Sequence, residues 1–205
     1  VSHKPMSSQS LISSDEEAMT LALALAQTAA DDGEVPVGAV VVLHGQVIGR
    51  GRNRQITDLD PSAHAEMLAI REAAATIGNY RLSGACLYVT LEPCTMCYGL
   101  LVHSRIERLV YGASEPKSGA VHSAIPLAAN PVFNHTFQIE SGVMAAECGQ
   151  MLSAFFAARR AARKRLKALA RQPDTSDTPI QEEPDASDHH SGKPSGCDAG
   201  GETAC

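Results

Sequence analysis

The sequence has no apolar run approaching the roughly 18 residues of a membrane span, and its first ten residues, VSHKPMSSQS, lack the apolar core of a signal peptide. Those two absences argue against a membrane protein and a secreted one, and the chain reads as cytoplasmic. It begins with Val1 rather than Met, so a truncated or processed start is expected. No internal repeat is present. Six cysteines remain, but without a secretion signal they do not read as a disulfide framework, and the close pair Cys94 and Cys97 points to metal or redox chemistry. Large apolar residues are nearly missing from residues 172–205, which hold eight Asp or Glu against one Lys. That segment cannot offset its ordering entropy and is expected to be a disordered acidic tail. It also accounts for the net charge of −6, since the rest of the chain has 16 basic and 15 acidic residues.

What is there fits one domain over residues 14–171, behind a flexible segment 1–13. Ser14 and Glu17 form a capping-box pattern, and Ala18, Leu21, Ala22, Leu25 and Ala29 follow at helical spacing. The helix should stop near Gly33. VPVGAVVVL and QVIGRG read as strands joined by a His44-Gly45 turn. Asp60 is a reasonable N-cap, with Pro61 opening a second helix to about Ile77. ACLYVTL is a third strand, followed by a short helix to about Ser104, a strand ERLVYGA, a long loop over residues 113–135, a fifth strand within HTFQIESG, and a final helix from Val143 to about Arg171. Strands alternating with helices imply an α/β sandwich with helices covering the sheet.

Two short stretches carry the chemistry. PSAHAEMLAI holds His64 and Glu66 at the start of a helix, and LEPCTMCYGL holds Cys94 and Cys97 at the start of the next. A helix N-terminus carries partial positive charge and favours thiolate, the form that binds metal. Two thiolates and one imidazole suit zinc and leave its fourth tetrahedral position open for a water of lowered pKa. Residues two apart on a helix diverge by roughly 200°, so Glu66 does not share a face with His64. A carboxylate set aside from ligation can hold the water and move protons. A closed structural zinc with Cys86, Cys148 or His103 as fourth ligand leaves Glu66 unexplained, and thiol–disulfide exchange leaves both His64 and Glu66 unexplained.

His64-Ala65-Glu66 with Pro93-Cys94-Thr95-Met96-Cys97 matches the zinc deaminase signature. EVPVGAVVV, GRNR, DPSAHAEMLAIREA, NYRLSGACLYVTLEPCTMC, HSRIERLVYGA and PKSGA then follow in the order seen in bacterial tRNA-specific adenosine deaminases. The chain resembles that family over roughly residues 15–165. The resemblance implies a three-layer α/β/α cytidine deaminase-like fold with a mixed sheet of about five strands, a homodimer, and one zinc ion per chain. It further implies conversion of the wobble adenosine of a tRNA anticodon to inosine. His64, Cys94 and Cys97 would bind zinc, Glu66 would shuttle protons, and Asn53 would contact the target nucleotide. Glu115 stands where many members have Asp, so its reach toward a neighbouring ribose is altered.

The final helix adds an independent cue. Arg159, Arg160, Arg163, Lys164, Arg165, Lys167 and Arg171 are seven of the chain's 17 basic residues, with no acid between them. Arg159, Arg163, Lys164 and Lys167 are candidates for RNA backbone contact, and Phe156 for stacking on an unpaired base. A guanine or other free-base deaminase would share the metal chemistry without needing this basic track. A nucleic-acid-binding protein with a structural zinc is the alternative of another class.

Overall fold

The computed structural model describes residues 11–130 and 132–170. The acidic segment 172–205 and most of the leader lie outside the described residues. Of the leader, Leu11–Ser13 are described, and the Ile12 N–H bonds Gly45 O at 2.8 Å.

Helix α1 spans Asp15–Asp31, with Ser14 as N-cap accepting the Glu17 N–H. Glu17 returns its carboxylate to the Ser13 N–H at 2.7 Å, one residue earlier than a strict capping box. Strands β1 (Gly38–Leu43) and β2 (Gln46–Arg52) form an antiparallel hairpin. His44 and Gly45 both have positive φ, as a type I′ turn requires. After a short helix α2 (Gln55–Asp58) come α3 (Ala65–Ile77), β3 (Cys86–Leu91), α4 (Thr95–Ser104), β4 (Arg108–Ala113), β5 (Gln138–Ser141) and α5 (Ala145–Leu169).

The sheet order is β2-β1-β3-β4-β5, antiparallel as far as β3 and parallel beyond it. Alternate strand residues point to opposite faces. Val41, Val89 and Leu109 pack with Ala69, Ala73 and Leu101 of α3 and α4 on one face, while Val40, Val42, Tyr88 and Val110 pack with Ala18, Met19 and Ala22 of α1 and Cys148 of α5 on the other. The result is three layers with a mixed five-stranded sheet, as expected.

Two corrections concern the approach to α3. The helix starts at Ala65 rather than Pro61, and α2 intervenes. The Asp60 carboxylate is taken by the Ser62 N–H and hydroxyl, both at 2.8 Å, so it is a turn residue and caps nothing. His64 holds the N-cap position without a side-chain cap. The Ala65 N–H is instead satisfied by Asn53 Oδ1 at 3.0 Å, from the end of β2.

Helix α3 lies unusually close to β2. A Cβ on Gly51 would meet Ala65 O and lie 2.6 Å from Ala69 N, and one on Gly49 would lie 2.8 Å from Ala73 N. Two glycines on one strand face therefore receive the alanine stripe Ala65, Ala69 and Ala73. This contact fixes the height of the helix end that carries His64 and Glu66.

Candidate active site and metal centre

The site forms at the carboxyl ends of β3 and β4, the usual location in open α/β sheets. Cys94 is the N-cap of α4, just beyond β3, and Cys97 lies one turn into the helix, fully buried. His64 Nδ1 lies 3.8 Å from Cys94 Sγ and 3.6 Å from Cys97 Sγ. Tetrahedral zinc with bonds of about 2.3 Å to sulfur and about 2.0 Å to nitrogen requires an S···N separation of about 3.6 Å. The three side chains therefore stand at the spacing zinc demands. Among the described residues, His64, Cys94 and Cys97 are the group able to hold a metal ion. Cys86 and Cys148 are free thiols outside this group, and Cys148, on α5, is packed against Gly112 of β4. No fourth histidine or cysteine joins them, so the closed structural zinc site finds no support among the described residues.

Without metal the two thiols divide their roles. Cys94 is held well below the ordinary thiol range because the Cys97 side chain hydrogen-bonds to it, with His64 adding to the effect. The same bond, together with burial, pushes Cys97 up. Contact with Cys94 holds the His64 imidazole above its ordinary value. A zinc ion needs both thiols deprotonated, so its binding releases protons.

Glu66 sits in the first turn of α3 and is only 4% exposed. Burial raises its carboxyl above the usual range. It does not join the metal-ligating group. Asn53, Gln55, His64, Glu66, Cys94, Glu115 and Ser118 line a cleft of about 200 Å³ with Val35, Val37, Leu91 and Glu92. The site residues expected from the sequence at this centre are thus brought together. Asn53 lines the cleft while its oxygen holds the end of α3, which leaves its amide nitrogen for another partner.

A family profile described as the cytidine and deoxycytidylate deaminase zinc-binding region matches residues 12–113. The tRNA-specific adenosine deaminase of Haemophilus influenzae is 52% identical over 156 residues, covering 76% of this chain and 90% of the relative. That of Bacillus subtilis is 49% identical over 154 residues, covering 75% and 94%. The chain belongs to the tRNA-specific adenosine deaminase family. Among solved structures, a chain from studies of A-to-I editing by tRNA:A34 deaminases superposes with a TM-score of 0.65 at 46% identity, over 66% of this deaminase and 99% of that chain. A guanine deaminase from Nitrosomonas europaea shares the fold, with a TM-score of 0.61 at 24% identity over 72% and 87%. The zinc of the family profile fits the donor set found here.

Two buried carboxylates that motif reading missed hold the surroundings of the cleft. Glu34, 1% exposed, accepts the Thr57 N–H at 2.7 Å and so ties α2, which carries Gln55, to the rest of the cleft. Glu92 accepts hydrogen bonds from the loop after β4. Its place directly before Pro93-Cys94 is the one sequence signal that could have drawn attention to it. The final helix divides the expected RNA-facing residues. Phe156 and Arg160 line a second hollow of about 360 Å³ that shares Leu91 and Glu115 with the metal cleft. Arg163, Lys164 and Lys167 continue from Arg160 along the exposed face of the same helix. Arg159 instead lies over the Phe155 ring, 5.5 Å from its centroid.

Proposed function

We propose that this deaminase converts adenosine to inosine at the wobble position of a tRNA anticodon. The reading is supported by family membership and by the chemistry of the cleft. The observation that carries its RNA part is the pair of adjoining hollows that lead from buried Glu66, through Leu91 and Glu115, to Phe156 and Arg160 at the start of the exposed basic face of α5. From Phe156 to Leu169 the helix is exposed, and at 1.5 Å per residue this stretch extends for about 21 Å. Among the described residues, no ion pair occupies Arg160, Arg163, Lys164 or Lys167. A free base would need only the first hollow, whereas a polynucleotide threaded into it needs somewhere for its flanking phosphates to go.

His64, Cys94 and Cys97 hold the zinc. When bound, it acts as a Lewis acid that lowers the pKa of water. Glu66 takes a proton from the attacking water and delivers it to the ring nitrogen, then takes the second proton from the hydroxyl added at C6 and delivers it to the departing amine. Water adds at C6, ammonia leaves, and inosine remains. Asn53 contacts the target nucleotide from the cleft wall, and Glu115 and Phe156 contact its neighbours. An anticodon loop presents its bases unpaired, so little unstacking energy is required. A second copy of the chain completes the assembly in this reading. Leu59 is 89% exposed and Ile56 58%, and these apolar side chains near Asn53 would be covered in a homodimer.

The test is Glu66→Gln, assayed by inosine formation in an anticodon stem-loop alongside free adenosine and guanine. General acid–base contributions are about 10²–10⁴-fold, so turnover should fall at least that far while zinc stays near one per chain. Near-full activity would remove Glu66 from the mechanism. Wild-type preference for a free base over the stem-loop would replace the tRNA reading with the small-substrate one.

A further inference from the structure

We propose that Glu92 is a positioning residue of the deamination site, holding the loop over residues 115–123 as one wall of the cleft; the inference rests on the functional reading above. Glu92 is 3% exposed and follows β3 by one residue. Its Oε1 accepts three consecutive backbone N–H groups, from Val121 at 3.1 Å, His122 at 2.8 Å and Ser123 at 2.9 Å. Its Oε2 accepts the Glu115 N–H at 3.0 Å and the Ser123 hydroxyl. One carboxylate thus gathers five donors from both ends of a nine-residue segment. Such charge-assisted bonds are about twice as strong as neutral ones.

Packing holds the far end of the segment, where Ala120 and Val121 are fully buried in the core and the Tyr111 hydroxyl lies 3.1 Å from His122 Nδ1. The segment contains no strand or helix. A turn closed by the Gly119 N–H on Glu115 O and a bond from the Ala120 N–H to Pro93 O, both 2.8 Å, join the Glu92 bonds on the cleft side, while the Leu127 and Ala128 N–H groups bond Ala120 O and Val121 O behind it. Glu115 and Ser118, which line the cleft with Glu66, are carried by that turn. Gly119 leaves no spare room: a Cβ there would run into the Glu92 carboxylate and lie 2.6 Å from Glu115 O. Glu92 also lies two residues before Cys94. The same strand-to-helix turn therefore presents a metal ligand in one direction and the loop anchor in the other. This couples the height of the wall to the position of the metal centre.

A glutamine keeps the shape but puts an NH₂ where one oxygen accepted. With its oxygen facing Val121, His122 and Ser123, the NH₂ faces the Glu115 N–H, donor against donor. The experiment compares wild type with Glu92→Gln by amide hydrogen exchange, bound zinc, and steady-state kinetics on the anticodon stem-loop. The Glu115, Val121, His122 and Ser123 amides should lose protection while those of β3 and β4 keep it. Zinc should remain near one per chain. Because the stem-loop is also held by α5, KM should stay within about threefold, and kcat per bound zinc should fall about 10- to 100-fold, the cost of misplacing reacting groups by a fraction of an ångström to an ångström. A merely structural role would reduce the amount of folded enzyme and leave kcat per zinc unchanged. Unchanged kcat per zinc, retained protection of the four amides, or loss of zinc would each overturn the proposal. Should Glu92→Gln give no folded protein, Gly119→Ala, which displaces the same junction from the loop side, decides by the same measurements. Wild-type protein inactive on the stem-loop would sink the functional reading instead, and the exchange data would still report whether the anchor exists.

Discussion

Gly51→Ala should damage the active site from the far side of a helix. The new Cβ would lie 2.6 Å from Ala69 N and 3.0 Å from Ala65 C, besides meeting Ala65 O. Ordinary carbon contacts lie at about 3.5–4.0 Å, so α3 must lift from β2 by on the order of 1 Å at its first turn. Overpacking of this kind costs about 1–3 kcal/mol. For a domain of this size each kcal/mol lowers Tm by about 2–4 °C, which gives a fall of roughly 2–12 °C. The functional consequence should be larger than that loss suggests. The lifted turn carries Glu66 and adjoins His64, and a 1 Å misplacement can cost about 10²-fold in rate. Thermal unfolding by circular dichroism, zinc content and stem-loop deamination would be measured on one preparation. The expected pattern is a modest fall in Tm, weaker zinc retention, and a large loss of turnover at temperatures where the variant is fully folded. A variant with unchanged Tm and turnover would show that the glycine–alanine contact does not set the helix height.

Cys97→Ala should lose zinc and activity together, in contrast to Glu66→Gln; retained stoichiometric zinc would remove Cys97 from the ligand set. Replacing Arg163, Lys164 and Lys167 together with Gln should weaken stem-loop binding and flatten its salt dependence, by about 0.7 in log–log slope for each phosphate of single-stranded RNA that is no longer neutralised. An unchanged slope would reduce that face to solvated surface. Asp15 accepts bonds from Arg108 at 2.7 and 2.8 Å and from the Tyr88 hydroxyl at 2.8 Å, and the Arg108 bond first of all holds its carboxyl below the usual value. A depressed carboxyl contributes stability that is present above its unfolded pKa of about 3.9 and is lost as pH falls through its folded pKa. Asp15→Asn should therefore lower the denaturation midpoint at pH 7, with the gap from wild type closing at pH 3 and below; a gap that persists at low pH would refute the ion-pair explanation.

The group able to hold a metal ion was legible because its chemistry is local. His64, Cys94 and Cys97 each belong to a short motif at a helix start, and the pattern of strands and helices brings those starts to one end of the sheet. Glu66 was legible for the same reason, since two-residue spacing on a helix already separates it from ligation. The start of α3 was misplaced because Asp60 and Pro61 carry an N-terminal signal that a nearer partner, Ser62, absorbs. No local pattern could show that the Ala65 N–H would be satisfied by Asn53, twelve residues earlier. Glu34 and Glu92 were missed on the same ground. A glutamate in a loop looks solvated until the donors that converge on it are known, and those donors lie 23 to 31 residues away.

The division of labour within the chain follows from these partners. Packing on the two faces of the sheet holds the fold, but the cleft is shaped by polar cross-links between distant segments: Asn53 to Ala65, Glu34 to Thr57, and Glu92 to the loop after β4. A backbone N–H aimed at one acceptor tolerates far less displacement than an apolar side chain sliding on its neighbours, so such links fix position where packing only fixes proximity. Helix α5 follows the opposite logic. It is buried through Cys148 near its start and then runs out into solvent, so its charged half is free to vary without cost to the core. On the proposed function, catalytic geometry and substrate reach are carried by separate parts of the chain, and they meet at Leu91 and Glu115, which line both the metal cleft and the hollow beside Phe156. Substitutions at that junction should alter which substrates are accepted without removing the metal, because neither residue belongs to the group able to hold it.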